Sequence, residues 1–122
     1  MINHLSIQCH DLVASASFYD GLLGVLGGRR IIEREQLIGY GTGFPTFWIG
    51  PLVDESGARE IHVAFDADTR ETVDQFHECA VRLGVEVLHS PRVWPEYHAG
   101  YYGTFIRDPD GNNIEAVHHT FG

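Results

Sequence analysis

The sequence has no uninterrupted apolar run of about 18 residues, so it holds no segment able to cross a bilayer as a helix. Its N-terminus, Met1-Ile2-Asn3-His4, lacks the basic stretch followed by an apolar one that marks a secretory signal. Cysteine is scarce. Cys9 and Cys79 stand far apart and form no CxxC pair, which removes a disulfide framework and predicts the reducing cytoplasm. Basic residues are few: 8 Lys+Arg against 17 Asp+Glu give a formal charge of −9. With no basic run to offset it, such a surface repels phosphate backbones and anionic membranes. No nucleic acid and no membrane is therefore an expected partner.

What is present is an ordinary globular composition, 43% hydrophobic and 20% charged over 122 residues. A domain of this size buries roughly two-thirds of the surface its unfolded chain exposes. That is enough for a core without staples, so a bound metal would serve chemistry rather than folding. Cys79 falls in a helical pattern and reads as a small core residue.

Periodicity gives a map. Residues 3–9 alternate as a strand. Asp11 is a helix cap, with Ala14, Phe18, Leu22 and Leu26 at helical spacing and Gly27-Gly28 as the stop. Strands are expected over 29–34 and 36–41, with a fourth at Thr46-Phe47-Trp48-Ile49. A polar stretch follows, and then the pattern restarts. Residues 60–66 form a strand, and Asp68 or Thr69 caps a helix carrying Val73, Phe76, Ala80 and Leu83 on one face; Gly84 ends it. Residues 85–89 form a strand, and 90–100 a long Pro- and aromatic-rich segment. Residues 101–107 and 112–118 form a hairpin around Asp108-Pro109-Asp110-Gly111.

The two halves superpose. His4 falls on His62 and Phe18 on Phe76, both at an offset of 58. The expected fold is α+β, two tandem βαβββ modules (module 1 about 1–52, linker about 53–59, module 2 about 60–122) in one domain. Two such sheets side by side would curve into an open half-barrel with a central cavity.

Four of the eight histidines read as solvated or loop residues: His77 on the second helix, His10 in a loop, His118 and His119 near the end of the chain. His4 and His62 differ, since they occupy equivalent positions on the first strand of each half. Each reads either as a metal ligand or as a residue that merely begins a strand. Glu115 sits among apolar strand residues, where a carboxylate is costly unless it is paired or binds a metal. Two imidazoles and a carboxylate suit one divalent ion per site, Fe, Mn, Zn, Ni or Co, with positions left open.

The opening segment INHLSIQCHDLVASASFYDGLLGVLG and the closing YYGTFIRDPDGNNIEAV at 101–117 resemble those of the vicinal oxygen chelate superfamily. That superfamily includes glyoxalase I, extradiol dioxygenases, fosfomycin-resistance enzymes and bleomycin-binding proteins. The resemblance implies metal ligands at His4, His62 and Glu115, and a homodimer, with modules paired within one chain or swapped between chains. It implies a metal-dependent enzyme, a glyoxalase-like lyase or isomerase or a dioxygenase, acting on a small oxygen-rich substrate. The alternative it offers is a cleft that binds an antibiotic or other small molecule without catalysis. One departure stands out. Glyoxalase I carries another carboxylate on the last strand of the first half, where this chain has Trp48 or Phe47, so glutathione-dependent glyoxalase I chemistry is disfavoured.

Further site residues follow from the closing hairpin. If Arg107 pairs with Asn112, Thr104 lies opposite Glu115 and Tyr102 shares its face. Tyr102 is then a candidate hydrogen-bond donor to a substrate oxyanion, or else a core aromatic. His98, on the 90–100 segment expected to cover the cavity, is a candidate acid-base group or a solvated loop residue. Trp48, Phe47, Tyr97, Tyr101 and Thr104 are the candidate substrate contacts.

Overall fold

The computed structural model describes residues 1–57 and 59–120. Its chain divides into two compact units, Met1–Arg59 and Glu60–Gly122. Of the expected linker, Ala58 lies outside the described residues.

The first unit runs β1 (Leu5–Cys9), α1 (Leu12–Val25), β2 (Arg29–Arg34), β3 (Leu37–Gly41) and β4 (Phe47–Pro51). Asp11 caps α1 by accepting from the Ala14 N–H. Ser15, Phe18, Tyr19, Leu22 and Leu23 then recur at helical spacing as its buried stripe. The sheet order is β1-β4-β3-β2, with β1 parallel to β4 and the other pairs antiparallel. Phe47 and Tyr40 meet Tyr19 of α1, with ring centroids 4.9 and 6.3 Å away. Asp20 of α1 receives two hydrogen bonds from Arg30 of β2 and one from Tyr40 of β3. Burial alone would raise the Asp20 carboxyl, but those hydrogen bonds and the Arg30 charge outweigh it and hold it below 3.8.

The second unit repeats the plan: β5 (His62–Asp66), α2 (Arg70–Leu83), β6 (Val87–Val93), β7 (Tyr101–Arg107) and β8 (Asn113–His119). Thr69 caps α2, and Gly84 closes it. The buried stripe is Val73, Phe76 and Ala80 with Cys79, while Leu83, expected on that face, is exposed. The sheet order β5-β8-β7-β6 reproduces the first, again with one parallel pair, β5 with β8. β6 continues to Val93, so the segment expected to be irregular from 90 is strand at its start. Pro91 is accommodated because β6 is an edge strand whose pairing is interrupted between His89 and Arg92.

The closing hairpin differs from expectation by one residue. Its connection is five residues long, 108–112, not four. Asp108 Oδ1 accepts from the N–H groups of Asp110 and Asn112, and Asp108 Oδ2 accepts from the Asn112 amide. Gly111 takes φ +85° to complete the turn. Asn112 Oδ1 accepts from the Ile61 N–H, tying the loop to the start of β5. With Asn112 used by the turn, Arg107 pairs with Asn113 and Phe105 with Glu115. In a strand a slip of one residue exchanges the faces.

Candidate metal centre

Glu115 is the most deeply buried carboxylate described, 1% exposed. Its oxygens are divided between two partners. Oε1 lies 2.8 Å from Nε2 of His62, and Oε2 accepts from the Tyr101 hydroxyl. Among the described residues its only ion-pair partner is His62, whose side chain is half-exposed. The register explains the meeting: Ala64 pairs with Glu115 across the parallel β5–β8 ladder, and His62, two residues back, shares its face.

The same slip relocates two expected residues. Tyr102 and Thr104 fall on the opposite face from Glu115, as a correction to the hairpin register read from sequence. The Tyr102 hydroxyl donates to Asp74 of α2 at 2.6 Å, and Arg70 lies over its ring. Burial and then Asp74 push that hydroxyl up to about 12. Thr104 is fully buried and donates to the His89 carbonyl at 2.8 Å. Tyr101 takes the place expected for Tyr102. Burial, reinforced by the Glu115 carboxylate, raises its hydroxyl and keeps the proton on the oxygen. Gly103, between Tyr101 and Phe105 on that face, leaves the room: a Cβ there would lie 3.2 Å from Glu115 Oε2 and 3.3 Å from the Tyr101 ring.

Aromatic and imidazole rings surround this pair within the second unit. Phe105 touches His62, His89 and Trp94, with centroids 5.9, 5.7 and 5.1 Å away. Tyr97, 58% exposed, stacks on Trp94 and approaches Tyr101 to 4.8 Å. His98 is not a solvated loop residue. Its Nδ1 accepts from the Gly100 N–H, which leaves Nε2 to donate to His119 Nδ1 at 2.9 Å. The His119 ring meets Tyr101 edge-on at 4.5 Å.

In the first unit, His4 immediately precedes β1, and its Nδ1 lies 2.8 Å from Asn3 Oδ1. That contact leaves Nε2 as the nitrogen available to a ligand. Trp48 pairs with Ser6 and with Gly39. Its register place is that of Glu115 in the second unit, because Ser6 follows His4 by two residues as Ala64 follows His62. Trp48 and not Phe47 holds the site face: Phe47 is buried against α1, whereas Trp48 lines a cavity of about 500 Å³ together with His4, Asn3, Ser6, Leu37, Phe44 and Pro45. Gly39 lets the indole lie across the sheet, since a Cβ there would be 2.9 Å from Trp48 Cη2.

The second unit's donors fit a divalent cation. An imidazole nitrogen and a buried carboxylate oxygen, here 2.8 Å apart, are donor types that hold such an ion. On the same strand face, the buried Asn113 Oδ1 has no hydrogen-bond partner among the described residues. Among the described residues no cluster of three His, Cys, Asp or Glu side chains forms a ready metal site. His62 and Glu115 are the two candidates that the structure brings together.

The model of the Glyoxalase/Bleomycin resistance protein/Dioxygenase superfamily matches residues 1–116. Among solved structures, a glyoxalase/bleomycin resistance protein from Albidiferax ferrireducens is 29% identical, with TM-score 0.84 over 95% of this chain and 97% of that one. A lactoylglutathione lyase from Agrobacterium tumefaciens is 24% identical, with TM-score 0.73 over 97% and 92%. A glyoxalase/bleomycin resistance protein/dioxygenase family enzyme from Burkholderia phytofirmans is 23% identical, with TM-score 0.74 over 98% of each chain. These last two likenesses are of fold. No curated protein matches the chain.

Proposed function

The chain belongs to the glyoxalase/bleomycin resistance protein/dioxygenase superfamily, and from that premise we propose that it is a divalent-metal-dependent enzyme acting on a small oxygen-rich substrate. The observation that carries this reading is Glu115, a buried carboxylate facing an imidazole at 2.8 Å with, among the described residues, no Arg or Lys as ion-pair partner. Burying such a group is costly unless a charge or several hydrogen bonds compensate. A divalent cation does this directly. His62 and Glu115 would hold it, and His4, at the equivalent place of the first unit, is proposed as the third ligand from sequence equivalence. When bound, the cation would polarise a substrate oxygen and stabilise negative charge on it. The set His4, His62 and Glu115 argues against a protein that only sequesters a ligand.

The chain's own residues supply the rest. Tyr101 keeps its proton and orients Glu115. Phe105 packs beside His62, and Trp94 backs Phe105. In the first unit Trp48, Phe44, Pro45 and Leu37 provide apolar walls for the non-polar part of a ligand. Trp48 cannot accept a proton, so this register position offers no base, and glutathione-dependent glyoxalase I chemistry is disfavoured. The lyase and dioxygenase alternatives are separated by assaying metal-loaded protein for oxygen uptake with catechols and for turnover of thiol adducts. Metal-dependent turnover in either assay, lost in Glu115→Gln, is the expected result. Turnover undiminished in Glu115→Gln, or undiminished after chelation, would contradict the reading.

A further inference from the structure

We propose that Tyr101 is a positioning residue that makes Glu115 present one oxygen, Oε1, to a bound cation; the proposal rests on the metal reading above. A free carboxylate has two equivalent oxygens and can grip a cation with both. Here they are not equivalent. Oε1 faces His62 Nε2 at 2.8 Å, while Oε2 is occupied by the Tyr101 hydroxyl. The phenol's hydrogen bond fixes the plane of the carboxylate and draws on the charge of Oε2, and turning the group away would break that bond inside a buried site, where an unmade bond costs most.

The phenol is itself held. The backbone N–H of Tyr101 donates to the His98 carbonyl at 3.2 Å, and its carbonyl accepts from Trp94 at 2.8 Å. Its ring is boxed by Tyr97, His98 and His119, with centroids 4.8, 5.7 and 4.5 Å away. Gly103 completes the device, because any side chain there would intrude between the phenol ring and Oε2. The segment 94–100 and the end of β8 thus act on Glu115 through one hydroxyl. A cation bound there would meet Oε1 as the less encumbered oxygen of Glu115, with Oε2 engaged by the phenol. From the sequence Tyr101 is expected only among the substrate contacts, because the register that aims it at Glu115 depends on the length of the hairpin loop.

The test is titration of the metal-free full-length protein with Co(II), followed by visible absorption, for wild type, Tyr101→Phe, Gly103→Ala and Tyr102→Phe. Tyr101→Phe removes one oxygen and keeps the ring, and a melting curve of the metal-free protein shows that it folds. The expected result is a fall in Co(II) affinity of about 10- to 100-fold in Tyr101→Phe with a changed visible spectrum. Gly103→Ala should shift the spectrum in the same sense. Tyr102→Phe, whose hydroxyl serves Asp74 on the other face, should match wild type. Affinity within about twofold of wild type and an unchanged spectrum in Tyr101→Phe would overturn the proposal. Absence of Co(II) binding by the wild-type protein would instead overturn the metal reading, and this inference with it.

Discussion

Glu115 and Trp48 occupy the same register place in two units that otherwise repeat each other. The one is a buried carboxylate held by a phenol and an imidazole, the other an indole laid across Gly39. This asymmetry sets the charge of the proposed site. Two neutral imidazoles and one carboxylate carry −1, so a divalent cation leaves a net positive charge that favours an anionic oxygen ligand. It also removes a proton acceptor. Wild-type protein loaded with metal is therefore expected to convert the glutathione hemithioacetal of methylglyoxal weakly or not at all, and Trp48→Glu is expected to raise that rate. Formation of lactoylglutathione, followed in the ultraviolet, checks both. Robust wild-type turnover would sink the argument.

Elements show what the sequence made legible and what it hid. Local signals were readable: Asp11 and Thr69 cap the helices, Gly84 closes the second, and both buried stripes follow helical spacing. Register was not, because it turns on how Asp108 and Asn112 share hydrogen bonds, and no periodicity reports that. One extra loop residue moved Tyr102 and Thr104 to the helix side and aimed Tyr101 at Glu115. Likewise the strand expected to stop at residue 89 runs on through Pro91, which an edge strand tolerates. Asp108→Ala is expected to cost about 1–3 kcal/mol by orphaning the two backbone N–H groups that Oδ1 serves, measurable by urea unfolding; an unchanged midpoint would show that the loop is held otherwise. In the first unit, Asp20 joins α1 to β2 and β3. Its carboxyl is depressed in the folded state, so its contribution is present above 3.8 and is lost as pH falls through the lower folded value. Melting curves of wild type and Asp20→Asn should differ at neutral pH and converge as the pH falls through the lowered folded value. A gap that does not narrow with acidification would argue against the ion pair.

At the scale of the whole molecule, the repeat was the strongest signal in the sequence, and the identical sheet orders of the two units bear it out. Each sheet ends in two outer strands, β1 and β2 in one and β5 and β6 in the other. Such edges favour further pairing, and we propose a homodimer, to be checked by sedimentation, where monomer alone at micromolar concentration would contradict it. Among the described residues no helix is long and apolar enough to cross a membrane. We propose that this fold holds a functional divalent metal through His62 and Glu115, with His4. The most direct test is the metal content of purified, metal-reconstituted protein beside His62→Ala. One divalent ion per chain in the wild type and a marked loss in the variant are predicted; full occupancy in His62→Ala, or no metal in the wild type, would contradict it.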